Sequence, residues 1–93
     1  MDTTEQRFAK AKRLAQELLD EGINKNFQKV AQILKDRAEL FDQLKSPDEA
    51  ETDRCVARAI QNHPNRTDYK ILDRVAHVDW GAIATKHLSL IHI

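Results

Sequence analysis

Arg54, Arg58, Arg66, Lys70 and Arg74 place five cations within 21 positions of the second half of the chain. Such a density is what a phosphate-contacting surface needs, because each neutralised phosphate releases condensed counterions. Arg54 and Arg58 share a helix face at i, i+4, as do Lys70 and Arg74. Glu51, Asp53, Asp68 and Asp73 are interleaved with them, however. That alternation reads as a solvated, ion-paired face before it reads as a nucleic-acid contact. Other reactive groups are few. His63, His77 and His87 form neither an i, i+4 pair nor a Glu-x-x-His motif, so surface or capping roles are expected and no metal. Cys55 has Arg54 beside it and Arg58 one turn on, cations that favour a thiolate. No base accompanies it, so a half-buried structural thiol is expected. The chain has no glycine-rich phosphate loop and no recognisable pair of catalytic carboxylates. The expectation is a non-enzyme without a cofactor.

Asp79-Trp80-Gly81-Ala82-Ile83-Ala84 is the other suggestive segment. Asp79 suits a helix N-cap, and Val78 and Ile83 are spaced for a hydrophobic staple across it. The Trp-x-x-Ile-Ala pattern resembles the opening of a helix in Myb-like and other helix-turn-helix domains. The resemblance covers this one short segment. It implies that Trp80 and Ile83 are the core of such a unit and that a recognition helix for the major groove follows. Spacing alone says only that Trp80 and Ile83 pack the last helix of a bundle. Asp68-Tyr69-Lys70-Ile71-Leu72 and His63-Pro64 are similar to pieces of a J-domain. Their order is reversed and Asn65 replaces the aspartate, so that match is rejected.

The elements that position these residues are helical. Two Gly and two Pro in 93 residues leave little turn-forming material. The abundant Ala, Leu, Lys, Glu, Gln and Arg keep most of their side-chain freedom in a helix. Phe8, Ala11, Ala15 and Leu18 recur at 3-4-3 spacing and predict a first helix over 4–21. Gly22 is expected as its left-handed C′ residue, with Ile23 folding back on Leu18. Phe27, Ala31, Leu34, Ala38 and Phe41 predict a second helix over 25–45, with Val30, Ile33, Leu40 and Leu44 beside that stripe. This helix should be the central one, and the short connection makes an antiparallel hairpin with the first. Ser46-Pro47-Asp48-Glu49 predicts a capping box opening a third helix that ends near Gln61. Pro64 interrupts it. A fourth helix starts near Thr67 or Asp68 with Tyr69, Leu72, Val75 and Ala76 inward, and a fifth starts at Trp80.

The fold class is therefore all-α: a small helical bundle of four to five helices built on an N-terminal antiparallel helical hairpin. Net charge is zero, with nine basic and eight acidic residues in 1–45 against six and seven in 46–93. Neither half is a polyanion binder by charge alone. One cysteine excludes an intrachain disulfide framework and agrees with a cytoplasmic, reducing compartment. The acidic N-terminus is unlike a signal peptide, and no apolar run is long enough for a membrane. Leu88-Ser89-Leu90-Ile91-His92-Ile93 reads as the in-frame translation of a transposase mosaic end used in sequencing libraries. The expectation is thus one native domain over 1–87, truncated near His87, with a foreign tail over 88–93. The second apolar stripe of helix two suggests a helical protein-interaction module, for a protein partner or for self-association. The alternative is the N-terminal part of a helix-turn-helix nucleic-acid-binding regulator, with Arg54, Arg58, Arg66, Lys70 and Arg74 as its contacts.

Overall fold

Two three-residue connections set the topology. The computed structural model describes residues 3–91, with side chains described over 3–85. Its helices are α1 (Thr4–Ile23), α2 (Phe27–Gln43), α3 (Pro47–Asn62), α4 (Tyr69–Ala76) and α5 (Trp80–Ile91), with a 3-10 turn at Pro64–Arg66 between α3 and α4. No strand occurs among the described residues. Links this short favour an antiparallel course for consecutive helices that pack on one another. Each link contains one residue in the left-handed region, Lys25 at φ 58° and Lys45 at φ 61°. The bundle is all-α, and α2 lies at its centre, packed on α1 and α3, while α4 packs on α1.

The α1 ending differs from the expected one. Gly22 is helical and has no positive φ; the helix continues to Ile23, and Lys25 makes the turn instead. Ile23 is exposed rather than folded onto Leu18. The glycine serves close packing instead, because a Cβ at position 22 would lie 2.6 Å from Leu72 Cδ1, inside contact distance. The missing side chain lets α4 approach α1. Gly22→Ala should gain about 1 kcal/mol of helix propensity and lose about 1–3 kcal/mol to overpacking against buried Leu72. A net loss of up to about 2 kcal/mol in a urea titration is expected.

The capping box at α3 is also corrected. Ser46 occupies the N-cap position and Pro47 the first turn, but the Ser46 side chain makes no cap hydrogen bond. Its Oγ is buried without a partner, and so is Glu49 Oε2. The box the chain does form is at Thr3 and Gln6, at the start of α1. A working N-cap serine is worth about 1 kcal/mol. Here Ser46→Ala should leave the unfolding midpoint unchanged or raise it, because it removes an unsatisfied buried hydroxyl. Asp68 and Asp79 do cap: their carboxylates accept from Lys70 N at 2.7 Å and Ala82 N at 3.0 Å.

The core forms two adjoining clusters. The larger joins α1, α2, α3 and α4 through residues such as Leu18, Leu34, Ile60 and Leu72. The smaller gathers Ala38, Phe41, Leu44, Ala50 and Ile83, with Val78 beside them. Trp80 packs against both clusters. The second stripe, made by Val30, Ile33 and Leu40 of α2 and by Leu44 just beyond its end, is buried within the chain. The surplus apolar face expected on α2 is therefore already covered. Tyr69, expected inward, is exposed, while Leu72 and Ala76 are buried as expected.

Candidate functional site

The five sequence-selected cations do not share one surface. Arg54 and Arg58 lie on α3, where they line a groove with Lys35, Glu39 and Gln61. Arg54 is engaged there by the carboxylate of Asp42, which it contacts at very short range. That bond raises its pKa further, so its charge is permanent. Arg66 sits in the 3-10 turn and lines a cavity with Val56, Ile60 and Ile71. Lys70 is exposed on α4. Arg74 lies in the last turn of α4 and borders a different, acid-rich cleft with Asp48, Glu49, Asp53, His77 and Asp79. Trp80 and Ile83 are core residues here, Ile83 buried and Trp80 half-buried against Phe41 with ring centroids 5.7 Å apart.

The remaining reactive groups are placed simply. Cys55 is exposed rather than half-buried. His63 is exposed and caps the C-terminus of α3 by its backbone. His77 is exposed, with Nδ1 at 2.7 Å from the Asp73 carbonyl and 3.4 Å from its carboxylate. The side chains of His87 and of residues 88–93 lie outside the described ones. Among the described residues no group of three or more His, Cys, Asp or Glu is placed to hold a metal. No described helix is long and apolar enough to cross a membrane.

The strongest polar feature lies outside the residues that the sequence singles out. Arg37 of α2 is fully buried, and so, nearly, is Asp53 of α3. Arg37 Nε donates to Asp53 Oδ2 at 2.7 Å and Nη2 donates to Oδ1 at 2.7 Å. This is the fork geometry that suits a guanidinium to a carboxylate. Nη2 also donates to the Val75 carbonyl at 2.8 Å, and Nη1 to that of Ala76 at 3.5 Å. These are among the last carbonyls of α4, which have no partner within the helix. The guanidinium carbon stands 5.3 Å from the centroid of the Phe41 ring. One side chain thus ties three helices together and neutralises the negative end of the α4 dipole.

Burial pushes the Asp53 carboxyl above its ordinary pKa, against the bonds and charge of Arg37, which pull it down; Glu49 adds a lesser upward push and Arg54 a lesser downward one. The folded chain therefore holds this proton more tightly than the unfolded one. Its contribution to stability is complete below the unfolded carboxyl value of about 3.9 and is lost as pH rises through the raised folded value. A carboxyl-carbon NMR titration should place the Asp53 midpoint above the ordinary aspartate value. A midpoint below it would mean that Arg37 outweighs burial.

A second assembly lies at the opposite end of α4. Ile23, Tyr69 and Ile71 are the exposed large hydrophobic side chains among the described residues, at 65%, 44% and 47% exposure. Ile23 and Tyr69 line one cavity with Gly22, Lys25, Phe27 and Thr67. Ile71 lines the next, which shares Thr67. The end of α1, the start of α2, the end of α3 and the start of α4 meet here. The antiparallel course of the helices brings residues far apart in sequence to one end. Sequence periodicity does not reveal this, because Ile23 follows a glycine of the kind that stops helices and Tyr69 falls on the inward spacing of α4.

The structure so defines a small all-α bundle with an internal ion-pair clamp and, among the described residues, an apolar end where α1, α3 and α4 meet. Compared with family models, characterised proteins and solved structures, the chain matches none.

Proposed function

We propose that this chain is a non-enzymatic helical protein-interaction module that presents its α1–α4 end to another polypeptide. The observation that supports this reading is the gathering of Ile23, Tyr69 and Ile71 around two adjoining cavities. Exposed apolar side chains grouped at one end of a fold mark interaction surfaces more often than scattered ones do. The clamp at Arg37 serves this role indirectly, by holding α4 so that Tyr69 stands beside α1 and Ile71 beside α3 and the 3-10 turn. An exposed free cysteine fits a reducing, cytoplasmic compartment.

The nucleic-acid reading has less support. Its cations are divided among separate faces, and Arg54 is already paired with Asp42. The test is a pair of exposed substitutions, Ile23→Ser with Ile71→Ser. Exposed positions of this kind change stability by about 0.5 kcal/mol or less, so the fold should persist by circular dichroism. Affinity capture from the source cell's extract should recover a defined protein with the wild type and lose it with the variant. Unchanged capture by the variant would refute the assignment of this end.

A further inference from the structure

The geometry points to an occupant for the α1–α4 end: an amphipathic helix from another protein, with two bulky apolar anchors flanked by acidic residues. This inference rests on the interaction reading above and adds the partner's chemistry. Shape supplies the first argument. The end holds two open depressions of about 460 Å³ and about 210 Å³ that share Thr67. Two adjoining apolar depressions suit apolar anchors carried on one face of a partner helix.

Charge supplies the second argument. The charged residues lining the two hollows are Lys25 and Arg66, with no acid among the lining. Of the acidic residues close by in the chain, one has a cation as partner and two have neutral donors. Glu21 pairs with Lys29 at 3.3 Å and accepts from Asn26. Asp20 accepts from Gln16, and Asp68 caps α4. Lys25 and Arg66 have no ion-pair partner among the described residues. Lys70, between Tyr69 and Ile71 in the chain, adds a further exposed cation. In a chain of zero net charge, the lining of these two hollows is therefore cationic, while Asp20 and Asp68 keep their charge outside it. Complementary charge on a partner would steer its approach and exclude cationic competitors.

The probes are two synthetic helical peptides with identical leucine anchors, one flanked by glutamates and one by lysines. Each is titrated into the isotope-labelled chain and followed by NMR. The glutamate peptide should shift the Ile23 and Ile71 methyls and the Tyr69 ring. It should bind about tenfold tighter than the lysine peptide at low salt, with the gap closing as salt rises. Lys25→Glu with Arg66→Glu should reverse the preference; Arg66→Glu alone should narrow it if the double variant does not fold. Equal binding of both peptides at these residues would overturn the acidic partner and leave the interaction reading intact. Shifts that follow protein concentration instead would make a second copy the occupant. Shifts produced only by anionic lipid vesicles would make it a membrane surface. Either result overturns the proposal. No response at these residues to any probe removes both the proposal and the reading beneath it.

Discussion

Replacing Arg37 with alanine is expected to destabilise the fold by about 3–5 kcal/mol, the usual cost of breaking a buried ion pair from one side. That is a large share of the roughly 5–15 kcal/mol that holds a domain of this kind together. Three losses combine. Asp53 keeps its burial and loses its counterion. The Val75 and Ala76 carbonyls lose a charged donor. The Phe41 ring loses the guanidinium packed on it. The comparison that isolates the first loss is Arg37→Met with Asp53→Leu. Removing both charges leaves no carboxylate stranded, so the double variant should be more stable than either single one. Chemical denaturation of the four proteins measures this. Acid should also narrow the Arg37→Ala deficit. Without its guanidinium Asp53 binds a proton more readily still, so the variant gains more than the wild type as pH falls. Deficits that simply add, with no pH dependence, would show that the two residues act apart.

Phe41→Ala is expected to cost a similar amount, about 3–5 kcal/mol. Phe41 is fully buried in the smaller cluster. Its ring meets Trp80 at a 33° tilt. Among the described side chains of α5, Trp80 and Ile83 pack against the core clusters, so the cavity opens directly beneath this helix. The effect should be local before it is global. Trp80 emission should move to longer wavelength, as the indole gains water, at denaturant concentrations where the helical signal is still native. Coincident fluorescence and circular-dichroism transitions would show instead that α5 is no more loosely held than the rest.

The helical architecture is largely legible in the sequence. Periodic Leu, Ala and Phe positions mark α1 and α2, Pro47 marks the start of α3, and Asp68 and Asp79 mark the next two starts. Propensity and spacing are local, and so are these elements. What is not legible depends on contacts across the fold. Gly22 looks like a helix stop, because a glycine after an apolar stripe commonly is one; its use as a point of close approach depends on Leu72, fifty positions on. Ser46 and Glu49 have the right types and spacing for a capping box, yet packing buries both polar atoms without partners.

The Arg37–Asp53 pair does carry a signal in the sequence, though not one that charge density reveals. Arg37 stands three residues after Leu34 and four before Phe41, inside the buried stripe of α2. Asp53 stands between Ala50 and Ala57 on the buried stripe of α3. A cation and an anion, each alone on the inner face of adjoining helices, are the pattern a buried pair requires. The apolar end has a fainter signal. Ile23, Tyr69 and Ile71 come from two segments whose meeting needs the α1–α4 packing and the clamp that fixes it. The basic residues of the second half mislead for the same reason, because composition shows their density and not their separate faces.

The central claim is that Arg37 fastens α4 to the rest of the bundle and so builds the docking end. Arg37→Lys tests it most directly, because lysine keeps the charge and loses the planar fork. An ammonium cannot reproduce two parallel bonds to Asp53 and reach two carbonyls of α4 as well. Amide hydrogen exchange compares this variant with the wild type, residue by residue. The predicted result is a selective loss of protection at the α4 amides of Leu72, Ala76 and the following His77, with Leu14 and Leu34 of the hairpin much less affected. A uniform loss throughout the bundle, or no change in α4, would contradict the claim.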